Sequence, residues 1–257
     1  METIKRPRLM PVLSWHGSKW RVADRIIEHF PRDYEGLAYV EVFGGTGALL
    51  ATKLPSRQEV FNDLDDELMN FWRQLQYHPA ELARLVRLIP YSKTLFDQWR
   101  KAISGQPTEL LRAAVFCFVQ KASVNGMASS FGRHRDEKPH SLIHIRRKIT
   151  RLAARLRPVI LENLPFDRLI SFYDGPRTLF YCDPPYPGHA EYRVKFSQDD
   201  FNRLVAMVKK IKGKALISSA LDQKRALRDF RLKQLHLDYT TIVGRRTGRV
   251  ELLAMNW

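Results

Sequence analysis

The chain has 257 residues, a mass of 30.0 kDa, and 43 Lys and Arg against 27 Asp and Glu, for a net charge of +16 and a pI near 10.1. That length carries one large domain or two coupled ones, and 44% hydrophobic with 11% aromatic residues argues against a disordered basic tail. A folded chain this basic points to a polyanion, nucleic acid first and an anionic membrane surface second, with a basic surface kept for solubility as the plain alternative.

No apolar run approaches the ~20 residues of a spanning helix; Ala113–Val119 is among the longest. Lys5, Arg6 and Arg8 precede a short apolar run that Pro11 cuts, so no signal peptide is expected. The two cysteines, Cys117 and Cys182, suit a reducing cytoplasm and cannot form a disulfide framework or a four-cysteine zinc site.

In chain order, Ala38–Phe43 reads as a buried strand broken by Gly44–Gly47, with a helix starting near Ala48. Gln58–Asn62 reads as a second strand and Asp65–Tyr77 as a helix, with Leu68, Phe71, Trp72 and Leu75 on one face. Helical patterns then fill Pro79–Leu88, Lys93–Ser104 and Thr108–Val119. A loop over Val124–His140 is rich in Gly, Ser, His and charge. Ser141–Leu156 is an amphipathic helix: Leu142, Ile145, Ile149, Leu152 and Leu156 form its apolar stripe, and five basic residues lie largely off it. Pro158–Leu161 and Thr178–Cys182 read as short buried strands, Gln198–Ile211 as a helix, and Ala215–Ser219, Leu232–Tyr239 and Val250–Met255 as strands. The alternation predicts an α/β domain with a mostly parallel sheet. It divides into 1–78, a helical insertion at 79–157, and 158–257.

Three motifs carry chemistry. Glu41-Val42-Phe43-Gly44-Gly45-Thr46-Gly47 runs from a strand through glycines into a helix start, where a ligand can approach the backbone; an ordinary glycine turn is an equal alternative. It is no Walker A loop, since no Gly-Lys-Ser/Thr triplet occurs. Asp63 follows the second strand, about 20 residues beyond the first, where a carboxylate can accept both ribose hydroxyls. Alternatively, Asp63 or Asp65 caps the next helix. In Cys182-Asp183-Pro184-Pro185-Tyr186 a strand ends in a carboxylate, two prolines and an aromatic. The prolines stop the sheet, the Asp183 carboxylate and the Pro184 carbonyl are adjacent acceptors, and Tyr186 offers a stacking face. Two acceptors and a face suit a planar ring bearing an amino group; a Pro-Pro loop with an Asp cap is the plain alternative. The eight His show no zinc-ligand spacing, so no metal is expected.

Asp183-Pro184-Pro185-Tyr186 resembles the catalytic tetrapeptide of amino-group DNA methyltransferases, and Glu41–Gly47 resembles their AdoMet loop. More narrowly, the chain resembles the Dam-type DNA adenine methyltransferases. Ser14-Trp15-His16-Gly17-Ser18-Lys19 is similar to that family's opening element, with Ser18 where glycine is more usual. Asn125-Gly126 matches the Asn-Gly of its DNA-contacting segment, and Arg249–Ala254 matches its last strand. The resemblance spans most of the chain.

The resemblance implies a Rossmann-like AdoMet-dependent methyltransferase sheet with a helical target-recognition insertion. It implies site-specific methylation of adenine N6 in double-stranded DNA after base flipping. Trp15, Lys19, Phe43, Gly44, Gly45, Gly47, Asp63, Asn163, Phe166 and Asp183 would hold AdoMet. Asp183, Pro184, Pro185 and Tyr186 would be catalytic. Met127-Ala128-Ser129-Ser130 stand where GATC-reading members carry an arginine, so a target other than GATC is expected. From Lys121 to Arg157 there are ten basic residues and two acids. Asn125, Ser129, Ser130, Arg133 and Arg135 are the expected base readers; Arg146, Arg147, Lys148, Arg245 and Arg246 are the expected phosphate contacts. The expected state is a cytoplasmic monomer or weak dimer, with a cognate restriction nuclease as an optional partner. Competing readings are a cytosine-N4 or RNA adenine methyltransferase, or an inactive DNA-binding protein of the same fold.

Overall fold

The computed structural model of the chain describes residues 9–15, 17–132, 145–188, 193–240 and 246–257. Its strands are β1 (Ala38–Glu41), β2 (Gln58–Asn62), β3 (Ile160–Glu162), β4 (Thr178–Cys182), β5 (Lys214–Ala220), β6 (Arg231–Thr240) and β7 (Arg246–Met255). Its helices are α1 (Ala23–Ile27), α2 (Asp66–Tyr77), α3 (Pro79–Leu88), α4 (Lys93–Trp99), α5 (Glu109–Ala122), α6 (Ile145–Leu156), α7 (Phe166–Tyr173) and α8 (Gln198–Val208). They fall into two units: Met1–Arg21, Gly45–Lys53 and Asp65–Asn163, and Val22–Gly44, Leu54–Leu64 and Leu164–Trp257.

The second unit is α/β and Rossmann-like. Its strands lie in the order β2-β1-β4-β5-β7-β6. β2, β1, β4 and β5 are parallel, while β7 runs antiparallel to both β5 and β6. The central strands are buried on both faces, as the apolar runs in the sequence require. One face presents Val40, Phe180, Cys182, Ala215, Ile217, Leu252 and Ala254 to Leu169 and Ile170 of α7 and Phe201, Leu204 and Val208 of α8. Burying each of the Val, Leu, Ile and Phe side chains among these contributes about 1.5–3 kcal/mol. Strand alternation sends Tyr39, Glu41, Tyr181, Ser218 and Glu251 to the other face. α8 starts in a capping box, with Ser197 Oγ accepting from Asp200 N and the Asp200 carboxylate accepting from Ser197 N.

The first unit is helical. α2 begins where Asp65 Oδ1 accepts from Glu67 N and Leu68 N at 3.0 and 3.1 Å. α2 and α3 pack against α5, and α3 also packs against α6. Glu67 of α2 pairs with Arg112 of α5 at 3.1 Å. In α6, Ile145, Ile149, Leu152 and Leu156 are buried, while Arg146, Arg147 and Arg151 are exposed. Leu142 of the expected stripe lies outside the described residues.

Three readings change. The buried strand expected over Pro158–Leu161 is β3 at Ile160–Glu162, with Ile160 exposed and Leu161 and Glu162 half-buried. Residues 45–52 form successive turns, not the helix expected from Ala48. Gly45 and Gly47 hold positive φ, and the Thr52 hydroxyl donates back to Ala48 O at 2.8 Å. The helix expected over Lys93–Ser104 ends at Trp99. α1 and α7 lay unrecognised; α7 follows Pro165 and has eight residues, too short for a distinct period. Among the described residues, no helix is long and apolar enough to cross a membrane.

Candidate active site

In the sheet of the second unit, the chain leaves β1 toward β2 on one side and β4 toward β5 on the other. The crevice outside the carboxyl ends at such a switch point is where open α/β sheets bind ligands. Val42 N donates to Tyr181 O at 2.9 Å, which sets the turn after β1 beside the turn after β4. Phe43 and Gly44 therefore emerge next to Asp183–Tyr186, and Asp63 emerges from β2 at the same end.

Each turn is fixed by specific contacts. Gly44 N donates to Asn62 O at 2.7 Å. A Cβ on Gly44 would lie 2.3 Å from the Phe61 ring, so only glycine fits. Asn62, 1% exposed, donates through Nδ2 to Val42 O at 2.9 Å and Leu164 O at 3.1 Å, and its Oδ1 accepts from Leu164 N at 2.8 Å. It ties the end of β1 to the segment entering α7. There Phe166 lies 6.0 Å from Phe43, ring to ring, and Phe196 lies 5.5 Å from Phe43 and 6.0 Å from Phe166. These three half-buried aromatics supply faces for a planar ring. The helix cap belongs to Asp65, so Asp63 is not the residue that starts α2.

After β4, Asp183 is half-buried and Pro184 is buried. The Tyr186 hydroxyl hydrogen-bonds Glu251 Oε1 of β7 and lies 3.2 Å from Asp183 Oδ1. Burial, then the charges of Asp183 and Glu251, push the Tyr186 phenol well above its usual range. Burial, then Asp183, does the same to Tyr181. Glu41 accepts from the Tyr39 hydroxyl at 2.9 Å on the same sheet face. Glu41, Asp183 and Glu251 thus give this face an acidic lining. The Cys182 thiol is buried on the opposite face, and burial raises its pKa, so it is no thiolate nucleophile.

In the first unit, the remaining glycine-loop residues sit beside the N-terminal motif. The Trp15 indole lies 4.0 Å from the position a Cβ would take on Gly45. Ser18 and Thr46 share a hydroxyl hydrogen bond of 2.8 Å, and Trp72 Nε1 donates to Gly45 O at 3.1 Å. Lys19 is buried and donates to Gly17 O at 3.2 Å. Asn163 is half-buried just after β3.

The Asn125-Gly126 turn packs on the same N-terminal segment. Gly126 has φ of 68°, and a Cβ there would come within 2.3 Å of Ser14 O. With its amide nitrogen facing them, Gln120 donates to Gly126 O at 2.7 Å and Ser14 O at 3.2 Å. Ser123 and Phe131 form an antiparallel bridge that closes the loop presenting exposed Ser129 and Ser130. Arg146 and Arg147 are exposed on α6, and Lys148 is half-buried. Arg133, Arg135 and Arg245 lie outside the described residues. Arg246 pairs with Thr240 at the end of the β6–β7 ladder. Sequence reading missed Asn62, Phe196, Ser218 and Glu251, and took Trp72 only as core. Among the described residues no cluster of three or more His, Cys, Asp or Glu could hold a metal ion.

The family model described as D12 class N6 adenine-specific DNA methyltransferase matches residues 15–239. A protein of Escherichia phage P1 named DNA N-6-adenine-methyltransferase is 28% identical over 213 residues, covering 77% of this chain and 28% of that protein. The Lactococcus lactis subsp. cremoris protein named Type II methyltransferase M1.LlaDCHI is 28% identical over 125 residues, covering 46% of this chain and 43% of that protein. The chain spans less than half the length of either relative. A solved Streptococcus pyogenes structure, titled a conserved hypothetical protein, aligns over 91% of this chain and 94% of its own with a TM-score of 0.38 and 11% identity.

Proposed function

The chain belongs to the D12 class N6 adenine-specific DNA methyltransferase family, and from that premise we propose that it methylates adenine N6 in double-stranded DNA, using AdoMet, at a target other than GATC. The observation that carries this reading is the Val42–Tyr181 hydrogen bond of 2.9 Å at the switch point. Within the second unit it brings the turn at Phe43 and Gly44 next to the turn that carries the Asp183 carboxylate, an arrangement that supports transfer between a cofactor and an amino group.

The residues fit AdoMet. Phe43, Phe166 and Phe196 offer faces to a purine, Asp63 offers a carboxylate to ribose hydroxyls, and the acidic lining suits a sulfonium better than a polyphosphate. The family resemblance adds Gly44, Gly45, Gly47, Trp15, Lys19 and Asn163 to the residues that would hold AdoMet. AdoMet supplies an electrophilic methyl group.

The chain's own residues do the rest. An adenine inside a duplex must be flipped out, at a cost of a few kcal/mol that stacking on Tyr186 recovers in part. Asp183 and the Pro184 carbonyl accept the two amino hydrogens. This disfavours delocalisation of the nitrogen lone pair into the ring and aims it at the methyl carbon. Positioning is the main contribution. Residues 79–157 form the target-recognition insertion. Within it Asn125, Ser129, Ser130, Arg133 and Arg135 read bases, while Arg146, Arg147 and Lys148, together with Arg245 and Arg246, hold phosphates.

The test is labelled methyl transfer from AdoMet to DNA, followed by nucleoside analysis and methylation-sensitive sequencing. N6-methyladenine in a fixed context other than GATC is the expected product. N4-methylcytosine, methylated RNA alone, or no transfer overturns the reading.

A further inference from the structure

Tyr186 is 8% exposed, and its single hydroxyl faces two carboxylates. One is Asp183, whose Oδ1 lies at 3.2 Å; the other is Glu251, whose Oε1 makes the closer hydrogen bond. Glu251 is 2% exposed and Ser218 is fully buried, and Ser218 Oγ donates to the same Glu251 oxygen at 2.7 Å. β7 carries Glu251 to this position because it runs beside β5, the neighbour of β4.

A phenol has one hydrogen to donate. Burial and the two adjacent charges keep that hydrogen on Tyr186. It can satisfy only one carboxylate at a time, and whichever oxygen accepts it has less capacity for the amino group of a target base. The shorter contact goes to Glu251.

We propose that Glu251, fixed by Ser218, is a positioning residue for methyl transfer: it takes the Tyr186 hydrogen, sets the ring, and keeps that hydrogen off Asp183. This rests on the adenine-methyltransferase reading, in which Asp183 must accept from the substrate. Glu251 does not touch the base in this role. It acts through Tyr186.

The experiment measures kcat and KM for AdoMet and DNA, equilibrium AdoMet binding and melting temperature in the full chain. In Glu251→Ala the Tyr186 hydroxyl turns to Asp183, and kcat falls about tenfold or more while KM moves less than about threefold. Glu251→Gln keeps an acceptor for Tyr186 and recovers most of that kcat. Adding Tyr186→Phe to Glu251→Ala removes the competing hydrogen, so the double variant returns to the rate of Tyr186→Phe alone. A merely structural glutamate gives no such recovery. If Glu251→Ala fails to fold, Ser218→Ala loosens the same carboxylate and carries the same test: a smaller loss of kcat, absent when Tyr186 is Phe.

Unaltered kcat in Glu251→Ala, a double variant no faster than Glu251→Ala, or KM rising in step with the loss overturns the proposal. Wild-type turnover in the same series tests the parent reading separately. An inactive wild type overturns both, whereas an active wild type with an unrescued double variant overturns only the role of Glu251.

Discussion

The ring of Phe61 occupies the space that a side chain on Gly44 would need, 2.3 Å from the ideal Cβ position. The last residues of β2 thus dictate the glycine at the turn after β1. The first glycine of the loop is required by the protein's own packing, before any ligand is considered.

Gly44→Ala is therefore expected to destabilise the fold by about 1–3 kcal/mol, since the fully buried Phe61 ring or the turn would have to shift. AdoMet binding should weaken with it, because the turn would shift. Phe61→Leu in the same chain should return part of both. Denaturant unfolding and equilibrium AdoMet binding, measured on the single and double variants, check the pair. Equal stability of Gly44→Ala and wild type would contradict the contact.

Asp183→Asn keeps the shape of the turn but replaces a carboxylate acceptor with an amide. Turnover should drop by about 10²–10³-fold, the scale of one lost group that stabilises the transition state. AdoMet binding should weaken far less than turnover falls, since the other residues of the AdoMet set are kept, and the melting temperature should stay close to that of the wild type. Single-turnover methylation alongside calorimetric AdoMet binding separates the two effects. Near-normal turnover would remove Asp183 from the mechanism.

Much of the backbone geometry of the candidate site was legible because its signals are local. A strand running into Gly44–Gly47, a strand ending in Asp183-Pro184-Pro185, and an acidic residue after β2 each announce a turn within a few residues. The alternation of periods likewise marked the strands of the sheet and the helices from Asp65 to Leu156. What holds these turns together was not legible. Glu251 is 65 residues from Tyr186, and Asn62 is 102 residues from Leu164. Their pairing depends on the sheet order, above all on β7 lying beside β5. Nothing in the local pattern distinguishes Asn62 or Ser218 from any other polar residue in a strand. Trp72 shows a related limit: its spacing marked it as core, and it is buried, yet its Nε1 also holds Gly45 O.

Arg146 and Arg147 project from α6, away from its buried stripe. Substituting either with Gln should weaken DNA binding about equally for all sequences. Each lost phosphate contact should lower the slope of log K against log salt by about 0.9. Arg133→Ala or Arg135→Ala should instead relax site preference, since a bidentate guanine contact is worth about 1–3 kcal/mol of discrimination. Binding titrations at several salt concentrations, on target and unrelated duplexes, distinguish the two behaviours. Preference unchanged in both loop variants would place the reader elsewhere.

Alkaline pH should destabilise the protein through its buried acids. Burial raises the Cys117 thiol from 9.0 to about 12 and pushes Cys182 higher still. Burial also raises Tyr39, Tyr181 and Tyr186 well above 10.0. In each case the folded value lies above the unfolded one. The folded state keeps protons that the unfolded chain releases, so this contribution is complete below the unfolded value and is lost as pH rises past it. The loss should begin near pH 9 with the thiols and steepen above about 10 with the phenols. Urea midpoints between about pH 8 and 11 should fall in that pattern. In a Cys117→Ala, Cys182→Ala double variant the early part of the fall should flatten, whatever its overall stability. Methyl transfer should persist in that variant, because neither thiol is placed or ionised to act as a nucleophile. A flat profile to pH 11, or loss of transfer with the fold intact, would contradict the burial and the assigned chemistry respectively.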